Sequence, residues 1–371
     1  MTGDTVVIGG GVIGCAVAYE LARRGRRVQL VADRGLGRGA TQASGGMLVP
    51  YVEVHGGPML DLGVRSLSLY DEFVARVRAD AREEEPFEYS RHGSVQVALD
   101  GAAAARLEAA AVWLAARGVR AQWVDRTGIR AAEPHLCDDV AGGLVVPDHG
   151  VVGAEQLTAA LWEAASAHGA SFMPARVTRI RAVSAGIVVE ASGGTIDAGT
   201  VVLAPGAWGP QIEIQGAPPL PIVPVRGQLV HLHWPGDPLQ RIVWGPRCYL
   251  IPWRDGRLLV GATVEHVGYE ERNTVAGVHD LLDAASELVP QAWNAAFDGA
   301  RVGLRPGTPD DLPIIGRSAS MPGLVYAAGH YRNGVLLAPV TAALVGDLIV
   351  DGREDDLLRH FSPERFGAHH G

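Results

Sequence analysis

Hydrophobic and polar positions change their period along this chain, and the changes divide it into elements. Thr5 to Ile8 is a short β-branched run, after which Val12, Ile13, Ala16, Val17 and Leu21 recur at helical spacing. A second apolar run, Val28 to Val31, follows Gly25. The pattern predicts strand, turn, helix and strand within about thirty residues. From Val151 a helix of about fifteen residues is expected, ending at Gly169. The pieces "RVTRIRAV", "GIVVEA" and "GTID" then read as a meander of short strands. The run "GTVVLAPGAWGP" reads as a buried strand that closes on a small-residue turn, Ala204 to Gly206, with Trp208 behind it.

Two other regions carry different rhythms. Residues 219–299 contain "VRGQLVHLHW", "CYLIPW" and "RLLVGATVE", whose period-two alternation predicts antiparallel strands. Residues 86–149 mix charged, aromatic and Ala-rich helical stretches, with ordinary helix over 102–116. The expected fold is therefore α/β: a Rossmann-like nucleotide-binding domain joined to an α+β domain built on an antiparallel sheet. The first domain is assigned residues 1–85, 150–218 and 300–371, and the second 86–149 and 219–299.

The first turn carries the chemistry. Gly9, Gly11 and Gly14 stand in GxGxxG spacing between the first strand and the helix, the context that makes this otherwise weak motif specific. The first glycine permits a tight turn, the second lets backbone approach a pyrophosphate, and the third lets helix and strand pack closely. The helix start at Val12 and Ile13 turns free N–H groups and a positive dipole end toward phosphate. A carboxylate is expected at the end of the second strand to hold the ribose. Asp33 is the candidate, although the best register places Ala32 there.

The next segment selects the dinucleotide. In "GLGRGATQASGGMLVP", Arg38, Thr41, Ser44, Gly45, Gly46 and Met47 supply small side chains and backbone N–H groups that suit more pyrophosphate and a flat ring. A nicotinamide enzyme of this fold would continue into a regular helix instead, so FAD is expected. Val177, leading the meander, is assigned backbone contacts to the adenine, and Gly206 a place in the small-residue turn beside the cofactor.

Composition excludes other chemistries. The formal net charge of -9 lacks the concentrated basic face that nucleic-acid binding requires. Every positive side chain among the 32 Lys and Arg residues is arginine, which removes Schiff-base, phosphate-loop and general-base lysines. Cys15, Cys137 and Cys248 lie far apart and read as small buried hydrophobes of a reduced compartment. No metal spacing is formed by His266, His330, His369 and His370, and no metal is expected. No basic and apolar leader opens the chain and no apolar run reaches about 18 residues, so no integral membrane segment and a cytoplasmic location are expected. A homo-oligomer is compatible with this composition.

Near the other end, "LVYAAGHYRNGVLLAP" interrupts apolar sequence with four polar or aromatic residues. A strand ending at Gly329, then His330, Tyr331, Arg332 and Asn333, then a helix from Gly334 through Val335 and Leu336, would aim a helix N-terminus at the flavin pyrimidine.

Taken in order, "VVIGGGVIG", "ATQASGGML", "VVLAPGAW", "PVRGQLV", "YLIP", "LLVGAT", "GLRPGTPDDLPIIG" and "AAGHYRNGVLLAP" resemble the D-amino-acid oxidase family of flavoproteins. The likeness runs from about residue 5 to 350 and is greatest to the family's glycine-oxidising members, which are linked to thiazole formation for thiamine. It implies noncovalent FAD, since "GLRPGT" lacks the cysteine some relatives carry there. It also implies oxidation of glycine or a small relative, such as sarcosine or a short D-amino acid, with oxygen as acceptor and peroxide as product. By matching position, Arg305 would hold the substrate carboxylate, Tyr249 would assist, and Arg332 would stand at the substrate or flavin edge. Val264 falls where the family often has Met. An arginine suits a bidentate carboxylate contact, yet Arg305 could instead pair with Asp310 or Asp311, and Tyr249 could be core. A D-amino-acid dehydrogenase feeding a quinone and a flavin-binding protein without turnover stay open as rivals.

Overall fold

The computed structural model describes residues 5–52, 56–81 and 87–366, so the expected boundary at residues 85 and 86, and His369 and His370, lie outside the described residues. Four sheets organise the described residues. The largest parallel one runs Ile314–Arg317, Leu324–Ala328, Thr200–Leu203, Thr5–Ile8, Val28–Val31 and Ser171–Met173. All neighbours are parallel except the antiparallel outer pair Ile314–Arg317 and Leu324–Ala328. The first strand is fully buried because it pairs on both sides, Thr5 with Val28 and with Thr200.

The helix Val12–Arg23 crosses this sheet and is buried from Val12 to Ala22, with helices Ala154–Ala167 and Gly334–Gly346 against its outer side. Its one buried charge, Glu20, is held by Arg23 at 2.8 Å and Arg24 at 2.6 Å, as a carboxylate in such a place requires. The helix from Val151 onward forms over Ala154–Ala167 and stops before Gly169, whose φ of +88° suits the end of a helix. The meander appears as Val177–Val183, Gly186–Ala191 and Gly194–Ala198, with Glu213–Ile214 added parallel to the first of these.

The stretch Gly334–Asp351 corrects the expectation that no apolar run reaches 18 residues: its mean hydropathy is 1.8 over 18 residues. Length and composition would let it cross a membrane, yet 67% of it is buried inside the protein and Arg24 holds its Asp347 at 2.8 Å. It is the central helix of the core.

Residues from both expected pieces of the second domain meet in one eight-stranded sheet. Its order is Ala296–Gly307, Val223–His233, Arg257–Gly261, Tyr249–Pro252, Ile242–Trp244, Ser94–Ala98, Gly142–Val146 and Gln122–Asp125. The pairs are antiparallel apart from Ile242–Trp244 beside Ser94–Ala98. A division at residue 300 would cut the strand Ala296–Gly307, which pairs with Val223–His233 from Ala296 opposite His233 to Gly307 opposite Val223. That strand stays in the sheet to its end, and it carries Arg305 there. A small sheet of Met47–Leu48, Gly150–Val152 and Tyr89–Ser90 joins the two large ones.

Candidate active site

The carboxyl ends of the parallel strands open onto a cavity of about 670 Å³, the place where open α/β sheets bind ligands. Its far wall is the eight-stranded sheet, so one space spans the glycine turn and the expected substrate groups. Of the residues singled out from the sequence, all but Gly14 border it.

The three glycines differ in what an added Cβ would meet. A Cβ on Gly9, at φ +115°, would stand 2.1 Å from the Ala204 carbonyl oxygen, and one on Gly14 would stand 1.8 Å from the Gly9 oxygen. Those two positions set backbone packing, which is why Gly14 lies behind the cavity wall. A Cβ on Gly11 would meet only Thr41 Oγ1, at 3.4 Å. Gly11 caps the helix without a side chain, and Val12 N donates to Thr41 Oγ1 at 3.1 Å, the nearby Ile13 also bordering the cavity. The segment after the second strand thus reaches back to the helix start and takes the Val12 N–H, and the remaining N–H groups of that first turn suit an anion.

That segment is shaped by backbone. Gly46 adopts φ +64° with Ser44 Oγ accepting from its N–H at 3.2 Å, and a Cβ there would sit 1.8 Å from the Val152 carbonyl oxygen. Gly45 faces the other sheet, where an added Cβ would lie 2.6 Å from Ile251 Cδ1 and 3.4 Å from Tyr249 Cε2. Met47 borders the same wall, and Arg38 Nη1 donates to Gln42 Oε1 at 3.3 Å. At the other end, Asp33 is exposed one residue past buried Ala32. Beside it Arg34 stacks on Trp208 at 4.1 Å and pairs with Glu271 at 2.6 Å. Val177 and Gly206, the latter at φ +59°, complete that end.

The polar stretch after Gly329 takes the turn read from the sequence. Gly329 has φ +69° and Tyr331 φ +46°, and the helix begins at Gly334 with Asn333 as a cap that uses no side-chain bond. The helix start, Gly334 to Leu336, borders the cavity. His330 behaves differently from a lining group. Its ring is buried, shares a hydrogen bond of 3.0 Å between Nε2 and Thr341 Oγ1, and burial pushes its pKa down to about 3. It stands as a neutral imidazole that anchors the turn to the helix. Arg332 is exposed and lies over the Tyr331 ring at 4.9 Å.

Across the cavity, Arg305 is half-buried and its guanidinium lies flat on the neighbouring strand: a Cβ on Gly227 would stand 2.4 Å from Cζ, Nη1 and Nη2. Nη1 donates to the Thr263 carbonyl at 3.0 Å and the Arg226 carbonyl at 3.4 Å. Asp310 is held instead by Arg365 at 2.8 Å, so the pairing with Asp310 or Asp311 does not form. Among the described residues Arg305 has no carboxylate partner, and its fixed fork faces the cavity with a full charge to satisfy. Tyr249 packs over Gly261, where a Cβ would be 2.4 Å from its hydroxyl, and tilts against Trp244 at 5.2 Å. Val264 is 54% exposed at the same rim.

Residues 4–348 match the DAO family, the FAD-dependent oxidoreductases. The chain belongs to that family. This DAO-family chain is 35% identical to the glycine oxidase of Geobacillus kaustophilus, over 93% of this chain and 92% of that one. The crystal structure of that glycine oxidase superposes with a TM-score of 0.93, covering 100% of this chain and 99% of the other. A structure of iminodiacetate oxidase from Chelativorans is similar at TM-score 0.86 and 26% identity, over 97% and 98% of the two chains. The bifunctional protein ThiO/ThiG of Synechocystis is 38% identical over 98% of this chain and 54% of its own length. The chain therefore spans about half the length of that relative.

FAD is the cofactor of the family, and the residues present fit it: an open Gly11, a helix start capped by Thr41, and a second helix start at Gly334 share one cavity.

Glu265 and its partners Arg226 and Gln228, beneath Arg305, went unnoticed in the sequence. The signal was present: both partners fall at inward positions of the apolar run "VRGQLV", and inward polar groups need partners.

Proposed function

We propose that the chain oxidises glycine, or a comparably small amine-bearing acid such as sarcosine or a short D-amino acid. The 2-oxo acid, ammonia or amine, and hydrogen peroxide are the products. The reading is carried by Arg305, a half-buried guanidinium with backbone partners only among the described residues, set in the same cavity as the nucleotide cradle. Noncovalently bound flavin supplies the chemistry, taking two electrons and the Cα hydrogen from the substrate and passing them to oxygen. The chain's share is orientation. Arg305 takes the carboxylate through a bidentate contact, and Tyr249, wedged between Gly45 and Gly261, adds a hydroxyl on the same wall. Arg332 closes the rim beside Tyr331, and the Gly334 helix start turns its positive end to the region where negative charge develops. For glycine the balance is glycine, oxygen and water giving glyoxylate, ammonia and peroxide, with an imine released before hydrolysis. The likeness to ThiO/ThiG supports a role in supplying that imine for thiazole formation in thiamine synthesis.

The test is peroxide release by the holoenzyme across glycine, sarcosine, D-alanine and D-proline. Arg305→Ala should raise KM for the best of them about 10- to 100-fold, the scale of a charge-assisted hydrogen bond of about 1.5 to 3 kcal/mol. The variant should stay yellow. Imine product without peroxide would move the electron acceptor to a quinone, and an unchanged KM would remove Arg305 from the substrate site.

A further inference from the structure

The Arg305 guanidinium is oriented by backbone, and that backbone is held by a carboxylate one layer away. Glu265 pairs with Arg226 as an antiparallel bridge, Arg226 N to Glu265 O at 2.9 Å and Glu265 N to Arg226 O at 3.0 Å. Its side chain accepts from Arg226 Nη2 at 2.5 Å, Gln228 Nε2 at 2.7 Å and Thr263 Oγ1 at 2.6 Å. Thr263 Oγ1 in turn accepts from Gln228 N at 2.9 Å. The two carbonyl oxygens that receive Arg305 Nη1 belong to Thr263 and Arg226, the residues that this carboxylate holds in place.

The network has no slack. Gln228 is fully buried and spends its amide on Glu265 and Thr274, accepting from Thr274 N at 2.7 Å and donating to Thr274 Oγ1 at 3.1 Å. Arg226 is 4% exposed, and its Nε and Nη1 have no hydrogen-bond partner among the described residues, Glu270 standing 3.7 Å from Nη1. Glu265 is therefore its hydrogen-bonded counter-charge, with Glu270 a more distant second. Burial works against ionisation of Glu265, but the three donors outweigh it and hold the carboxyl down at about 2. An acceptor ringed by three donors cannot be replaced by an amide without turning an N–H toward one of them.

We propose that Glu265 is a positioning residue for substrate carboxylate recognition: it fixes Thr263 and Arg226, whose carbonyls set the direction of the Arg305 fork. The proposal rests on Arg305 as the carboxylate clamp. A residue that merely pinned the segment 263–274 to the sheet would alter stability or flavin content without selecting for the carboxylate.

The experiment compares Glu265→Gln, Glu265→Asp, Arg305→Ala and the double variant Glu265→Gln with Arg305→Ala, each as flavin-loaded protein. Peroxide release gives KM and kcat for glycine, and acetate, a carboxylate without the amine, is titrated as a competitive inhibitor. Glu265→Gln should raise KM for glycine and the acetate inhibition constant together by about tenfold, a charge-assisted contact weakened rather than lost. Its kcat should stay within about threefold, Glu265→Asp should recover part of the loss, and the double variant should be no worse than Arg305→Ala alone. If Arg305→Ala raises KM but Glu265→Gln does not, or if the two effects multiply, the positioning role is overturned while the clamp stands. If Arg305→Ala leaves KM unchanged, the clamp itself fails and the proposal falls with it. Should Glu265→Gln lose its flavin, Thr263→Val removes one donor beside the same carbonyl. That variant must shift glycine KM and acetate inhibition in parallel by a smaller factor, and unaltered values overturn the proposal.

Discussion

Gly227→Ala is the most direct perturbation of the substrate clamp, because it touches Arg305 without changing any charge. A methyl group at residue 227 would lie 2.4 Å from Cζ, Nη1 and Nη2 of Arg305. Comfortable carbon contacts begin near 3.5 Å, so the guanidinium must retreat by about 1 Å. The obstacle is the far end of a flexible side chain, and Gly227 has no positive φ to lose, so the strand accommodates alanine cheaply. A shift of about 1 Å breaks the bond to the Thr263 carbonyl, now 3.0 Å, and displaces the carboxylate site by the same amount. Misplacement on this scale costs on the order of 100-fold in turnover efficiency, and loss of one charge-assisted contact about tenfold or more. KM for glycine should therefore rise between about 10- and 100-fold. The melting temperature should move by a few degrees at most. Peroxide-coupled kinetics and a thermal scan followed by flavin fluorescence measure the two quantities. A variant with native KM would refute the packing of Arg305 on Gly227 as the basis of recognition.

Arg332→Ala should slow flavin reduction or weaken substrate binding without unfolding the protein, since Arg332 is exposed and its ring contact with Tyr331 contributes about 1 kcal/mol or less; anaerobic stopped-flow bleaching separates the two effects, and native values for both would remove it from the site. Thr41→Val deletes the acceptor for Val12 N and should cost about 1 kcal/mol at the helix start, seen as a severalfold weaker retention of FAD on dilution; full flavin occupancy at nanomolar protein would contradict it. Acid should destabilise the fold through His149 and His330, whose pKa values burial holds down at about 3. The unfolded chain binds those protons below about pH 6.5 and the folded chain does not, so this stability is complete above about 6.5 and falls as pH drops toward 3, by about 1.4 kcal/mol per pH unit for each histidine. Urea titrations at pH 7.5, 6 and 5 give the slope, and His149→Gln should reduce it by one proton's share; an unchanged slope would show that His149 is not the titrating group.

The parts that were legible in the sequence are those where one residue type answers one backbone demand. Gly9, Gly14, Gly46 and Gly329 are positions where a Cβ would strike backbone or a neighbouring side chain within 2.5 Å, so glycine announces a turn or, at Gly14, a close helix packing whatever the rest of the chain does. Apolar period marks the strands beside them for the same local reason. What escaped depends on contacts between distant segments. The boundary drawn at residue 300 runs through the strand Ala296–Gly307, which is paired along its length with Val223–His233, a relation absent from either segment alone. His330 borders the cavity as the turn suggested, but its ring nitrogen is spent on Thr341, about two helix turns past Gly334. Asp310 read as a partner for Arg305 because it is close in sequence, yet Arg365 takes it. Glu265 is the sharpest case. Its role follows from three donors that arrive from Arg226, Gln228 and Thr263, and only when strand and loop are brought together does a solvated-looking carboxylate become the support beneath Arg305. A clamp that must hold a small carboxylate in one orientation needs rigidity that a lone arginine on a flexible stem does not have. The chain supplies it with Gly227 below, two carbonyls at the side and a half-buried ion pair behind them, so substitutions two layers from the substrate should be felt as losses of recognition before they are felt as losses of fold.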